Sequence, residues 1–237
     1  MKLPIEISPS PIIASSIEIR YVSNIEPSKL FPLVYSAFMK ELPNMEQTKL
    51  LPQFKQMNNQ LKYSPDYTLS NESYKLSFSN CVLSFENIAD YKLWGNYFPF
   101  ISKCVNTFFG LFDIEHVERV GVRYASVLDR TGGVEQILNF IPKISIEEYS
   151  QEFLVYRSNL KIEDMNIHLQ IMDNANIKSP KKSVPSGLYI DIDASFTGKI
   201  NADNKLLELI DKLHQEEKNL FFTLLKPEYI DTLNPKY

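Results

Sequence analysis

Glycine is scarce in this chain. It supplies seven of 237 residues, where average usage is about 7%. Loops that cradle phosphate need closely spaced glycines so that backbone N–H groups reach the ligand. The adjacent pair Gly132-Gly133 is not followed by Lys-Ser/Thr, so neither a P-loop nor a dinucleotide fingerprint is present. Cysteine is scarcer still. Cys81 and Cys104 form no C-x-x-C and no Cys/His cluster, which excludes zinc sites of the usual spacing and points to two small buried hydrophobes. No Gly-x-Ser-x-Gly elbow occurs, and no apolar run approaches the length of a membrane helix. Met1 to Glu6 lacks the apolar stretch of a secretory signal, so a cytoplasmic location is expected. Excess positive charge is missing too. The net charge is −4, which counts against affinity built on phosphate neutralisation. The run Lys178-Ser-Pro-Lys-Lys182 is a local basic patch whose ordinary explanation is a solvated loop.

What remains is an ordinary globular balance, with 44% hydrophobic and 23% charged residues. A chain of this length buries enough surface to fold without disulfides or metals. Ile17, Ile19 and Tyr21 alternate with Glu18 and Arg20, the pattern of a half-buried strand. A helix follows from Pro27-Ser28, carrying Leu30, Phe31, Val34, Phe38 and Leu42 at helical spacing, and Pro43 stops it. Residues 44–62 predict a broken helix or a surface loop. A short strand at Tyr67 to Ser70 precedes two alternating runs, Tyr74 to Ser79 and Cys81 to Glu86, which read as a hairpin turning at Asn80. A helix is expected from Tyr91 to Phe109, with Pro99 as a kink and Gly110 as its end.

The run Ile114 to Leu128 predicts a long strand in which Arg119, Gly121 and Arg123 share one face. Glycine there predicts a bulge or a close backbone approach. A short helix is expected over Val134 to Phe140. Strands follow at Phe153 to Ile162 and Met165 to Met172, turning at Glu163-Asp164. A loop at Asp173 to Ser186 and a strand at Leu188 to Phe196 come next. The last helix spans about 204 to 225, capped by Asp203 and closed by Pro227. The expected class is α+β: two loosely similar lobes of antiparallel sheet, residues 1–130 and 131–237, with helices on one face in a split β-α-β-like order, joined as one continuous unit.

The polar positions on these strands are the candidate site. Asp191 and Asp193 stand on one strand face about 7 Å apart. Such a pair holds Mg²⁺ or divides acid and base roles, or else is simply ion-paired. His168 shares its face with Asn166 and Gln170, and that face meets either the two aspartates or water. Glu18, Arg20, Arg119 and Arg123 form either a charged surface for an anionic ligand or partner, or cross-strand ion pairs worth a few tenths of a kcal/mol each. Tyr124 and Tyr189 are the aromatics that an RNA-binding sheet would stack on bases. His116 and His214 lack a metal-ligand partner, and His214 reads as part of a polar helix face.

Three short segments carry a family resemblance: Ile17-Glu-Ile-Arg20, Arg119-Val-Gly-Val-Arg-Tyr124 and Glu217-Lys-Asn-Leu-Phe-Phe222, together with Tyr91-Lys-Leu-Trp94. In these the chain resembles a sporadically distributed bacterial family of unknown function. In that family the Arg-aliphatic-Gly-aliphatic-Arg-Tyr strand often continues to an Asn, whereas this chain has Ser126. The resemblance implies no catalytic residues. It does imply an accessory role in a bacterial defence or stress system. The combined expectation is a non-catalytic binding or interaction protein with a protein partner or self-association, no membrane, and no cofactor or metal. The alternatives are a metal-assisted nucleotide or phosphoryl-transfer enzyme using Asp191 and Asp193, and an RNA-binding module.

Overall fold

The computed structural model describes residues 2–48, 52–58, 61–129, 133–140, 153–175 and 187–237. The expected lobe boundary at 130/131 and the basic run at 178–182 lie outside the described residues. The first half of the chain runs β1 (Ile12–Val22), α1 (Pro27–Phe38), β2 (Asn44–Gln47), α2 (Pro52–Met57), β3 (Tyr67–Ser70), β4 (Tyr74–Phe78), β5 (Val82–Asn87), α3 (Trp94–Phe109) and β6 (His116–Asp129). The second half adds α4 (Val134–Ile137), β7 (Val155–Ile162), β8 (Met165–Ala175), β9 (Gly187–Ile200), α5 (Asn204–Leu224) and α6 (Pro227–Thr232). The strands form one sheet in the order β2-β3-β4-β5-β1-β6-β9-β8-β7. The pairs β2–β3, β3–β4, β4–β5 and β7–β8 are antiparallel. The α+β class is therefore the observed one. By contact density the chain makes two compact units, Ser16–Val122 with Ser195–Leu213, and Met1–Ser15 with Arg123–Ala194 and His214–Tyr237.

In the first of these units the alternation of β1 decides which side is core. Ile17, Ile19 and Tyr21 are fully buried, while Glu18 and Arg20 face the other way and stay half-buried. The Tyr21 ring packs edge-on against Phe108 and Phe109 of α3, and its hydroxyl donates to the Ser79 carbonyl at 2.6 Å. That bond satisfies the one polar atom the ring carries inward. Tyr74 stacks on Tyr97 and Phe100, and Phe31 of α1 packs on Tyr67. The aromatic stripe of α3 is thus core and not a binding groove. Burial pushes the Cys104 thiol up to about 12, so it stays protonated and inert. Helix α3 starts at Trp94 rather than Tyr91. Leu93 precedes it at φ 58°, a conformation that cannot extend a right-handed helix backwards. Pro99 lies inside α3 without ending it.

Two elements differ from expectation. Residues 44–47 form a strand, although all four side chains are exposed. Backbone pairing with β3 holds them, Met45 opposite Leu69, and such an edge leaves no hydrophobic pattern to read. Pro227 opens a second helix instead of closing α5. It occupies the first helical position, where its missing N–H is harmless.

In the other unit, β7 and β8 form a hairpin whose turn is Glu163-Asp164, as the sequence predicts. Met165, Ile167, Leu169 and Ile171 are buried on one face of β8, and Leu188, Ile190, Ile192 and Ala194 on one face of β9. Segments near the two termini meet here: the Ile5 N–H donates to the Lys236 carbonyl at 2.6 Å and the Ser8 N–H to the Leu233 carbonyl at 2.8 Å. In the first unit, at the N-terminus of α5, the Asp203 carboxylate accepts from the Lys205 N–H at 2.9 Å, the capping role expected of it.

Candidate functional site

The polar face of β1 and β6 is self-neutralised. Glu18 Oε1 accepts from Arg20 Nε at 2.7 Å and from an Arg119 guanidinium nitrogen at 2.9 Å. The Arg20 guanidinium lies 4.2 Å above the Tyr63 ring, and the Tyr63 hydroxyl donates to Glu118 at 3.2 Å. Val117 and Val120 are both buried, while Glu118 and Arg119 both reach this opposite face. The alternation therefore slips by one residue at 118–119, as in a bulge. Gly121 has a specific reason to be glycine: a Cβ there would stand 2.6 Å from the Arg119 guanidinium. The close approach expected at Gly121 is thus made by a side chain and not by another backbone.

Arg123 and Asp191 form the second cluster. Arg123 Nε donates to Oδ1 at 2.8 Å and its terminal nitrogen to Oδ2 at 2.6 Å. The Tyr189 hydroxyl adds a third bond to Oδ2 at 2.8 Å. The carboxylate is 12% exposed and the guanidinium side chain 54%. This bidentate geometry is the strongest form of such a pair. The Asp191 hydrogen bond holds the Arg123 proton more firmly still, and burial, with Asp191 beside it, pushes the Tyr189 hydroxyl up to about 12. Both Asp191 oxygens accept hydrogen bonds, so a metal or a proton-acceptor role would compete with Arg123 for this carboxylate. Asp193 lies two residues on, on the same strand face and half-buried.

Two expected members of the site lie elsewhere. His168 is exposed and sits across the β7–β8 pair from Asn159, with Nδ1 at 2.7 Å from its Oδ1. It does not join Asp191. Tyr124 is 3% exposed and points to the opposite face from Arg123, with its ring 5.4 Å from that of His214. Adjacent strand residues alternate sides, so Tyr124 does not share the face on which Tyr189 meets Asp191 and Arg123, and base stacking would require pulling it from the core. Among the described residues no group of three or more His, Cys, Asp or Glu side chains could hold a metal ion. No helix among them is long and apolar enough to cross a membrane.

Sequence reasoning missed two features. The first is the rim strand β7. Among the described residues it pairs with β8 alone. The Asp173 N–H donates to the Leu154 carbonyl at 3.0 Å, so even-numbered residues of this segment bond to β8. The N–H and C=O groups of Val155, Arg157, Asn159 and Lys161 then point to the open side, since an antiparallel strand alternates its bonding direction. Phe153, Val155, Leu160 and Ile162 are 54%, 43%, 37% and 42% exposed. The second is Glu217, in α5. It is 5% exposed and, among the described residues, no hydrogen bond or ion pair reaches its carboxylate. Burial pushes it up to about 8; the Lys218 charge works the other way and the Asp191 charge adds to the rise. Its signal was present. Leu206, Ile210, Leu213, Phe221 and Leu224 leave a helical slot at 217. His214 is buried as well, against the polar-face reading of that segment.

One hollow of about 410 Å³ is lined by Pro9, Asp129, Gln136, Glu228, Tyr229 and Leu233. Its described lining offers two carboxylates, Asp129 and Glu228, and no cation. Comparison with protein-family models, curated proteins and solved structures returns no match for this chain.

Proposed function

We propose that this protein is a non-catalytic binding protein that takes a polypeptide partner along the open side of β7. The observation that carries the reading is that rim. It combines backbone groups at four alternate residues that have no partner strand among the described residues with exposed Val155, Leu160 and Ile162. A long edge strand with exposed apolar side chains is a template for strand addition. The charged residues elsewhere on the sheet support the same reading from the other side, because Glu18 is bound to Arg119 and Asp191 to Arg123. Metal-assisted phosphoryl transfer would need the Asp191 carboxylate that Arg123 holds. An accessory role in a defence or stress system belongs to the proposal through the family resemblance alone.

The test is affinity capture with the native protein and with the double variant Leu160→Lys/Ile162→Lys, identified by mass spectrometry. A partner retained by the native protein and lost from the variant is the expected result. Partners retained equally by both would refute the edge as the binding site.

A further inference from the structure

Resting on that reading, we infer that the partner is an extended segment of alternating acidic and apolar residues, added antiparallel to β7. The argument is one of register and charge. In β7 the residues with outward backbone groups are Val155, Arg157, Asn159 and Lys161, and their side chains share the polar face, where Asn159 meets His168 and Arg157 Nε donates to Gln170 at 2.9 Å. Tyr156, Ser158, Leu160 and Ile162 share the other face with the buried Ile171, Leu169, Ile167 and Met165 of β8. Arg157 and Lys161 are exposed and, among the described residues, neither has a carboxylate partner. Two open cations four residues apart therefore stand on a chain whose net charge is −4.

An added antiparallel strand must place its hydrogen-bonding residues opposite Val155, Arg157, Asn159 and Lys161. Charge then favours acids opposite Lys161 and Arg157, which are positions 1 and 5 of the incoming segment. Its positions 2, 4 and 6 fall opposite Leu160, Ser158 and Tyr156, on the face that continues the core. Apolar residues there would cover Leu160 and Tyr156. The pattern is acid-apolar-any-apolar-acid-apolar.

A second copy fits less well. The register with the most backbone bonds sets Val155 opposite Lys161 and Arg157 opposite Asn159 of the other copy. It crowds four cations onto one face, which opposes pairing.

The probe is a capped seven-residue peptide carrying Glu at positions 1 and 5, Val or Ile at 2, 4 and 6, and Thr elsewhere. Its control has Lys at positions 1 and 5. Fluorescence anisotropy should show the acidic peptide binding the native protein about tenfold tighter than the basic one, with the preference reversed by Arg157→Glu/Lys161→Glu. N-methylation at positions 1, 3 and 5 should abolish binding, and at 2, 4 and 6 should not. Equal binding of both peptides, both lost in Leu160→Lys/Ile162→Lys, would overturn the acidic class while leaving the edge as the site. Binding of neither peptide, with partner capture untouched by that variant, would overturn both. A native dimer in light scattering that this variant dissociates would overturn the acidic partner in favour of a second copy.

Discussion

The middle of the sheet and its rim treat the same residue types in opposite ways. On β6 and β9, Arg123 is locked by two bonds to a nearly buried Asp191, and Tyr189 adds a third hydrogen bond to that carboxylate. On β7, Arg157 and Lys161 stand exposed, and the backbone beside them points outward without a partner strand among the described residues. Charge in the middle is structural because a carboxylate that is 12% exposed must be paired to avoid a large desolvation penalty. Charge at the rim is solvated and contributes little to stability, so it is available for recognition.

The largest expected effect is on binding at the rim. Leu160→Lys/Ile162→Lys should weaken the acidic peptide about 100-fold, in the range of hot-spot truncations, without lowering the melting temperature by more than a few degrees. Next comes the middle. Arg123→Ala should destabilise the fold by about 3 kcal/mol, because it leaves Asp191 buried and unpaired; the equivalent rim change, Arg157→Ala, should stay within about 0.5 kcal/mol. Urea denaturation of the two variants measures the contrast directly, and equal losses would erase it.

Glu217 sharpens the comparison from a third position, a charge-capable group that is buried without a hydrogen-bond or ion-pair partner among the described residues. Its folded-state value near 8 lies above the ordinary 4.5. The folded chain keeps this proton over a window in which the unfolded chain has released it. Stability should therefore fall as pH rises from about 4.5 to about 8 and level off above. Glu217→Gln should raise stability at pH 7 by about 1–2 kcal/mol and flatten that slope, as thermal melts across the window would register. A smaller effect than at Arg123 or Glu217 is expected at Gly121→Ala. The added methyl displaces the flexible Arg119 guanidinium from Glu18 at a cost of about 0.5–1 kcal/mol, typical of a part-exposed pair.

Much of the fold was legible because burial writes itself as alternation. Ile17, Ile19 and Tyr21, the hairpin at Glu163-Asp164 and the stripe of α5 are all visible in the residues alone. The strand Asn44–Gln47 was not, since backbone pairing holds it and its side chains touch no core. The candidate site was legible only as a set of polar strand positions. Which carboxylate meets which guanidinium depends on strand order, and β6 lies between β1 and β9, a neighbourhood no single strand's sequence encodes. Parity did predict that Arg119, Gly121 and Arg123 share a face, and it also sets Tyr124 on the opposite one. The rim was hidden for the same reason: Val155 to Ile162 reads as any half-buried strand until its place in the order is known.

The most direct measurement is residue-resolved amide exchange along β7, free and with the acidic peptide. In the free protein Val155, Arg157, Asn159 and Lys161 should exchange fast and Tyr156, Ser158, Leu160 and Ile162 slowly, and the peptide should slow the fast set at least about tenfold. Odd-numbered amides that are already protected in the free protein, or that stay fast when the peptide is bound, would contradict strand addition at this edge.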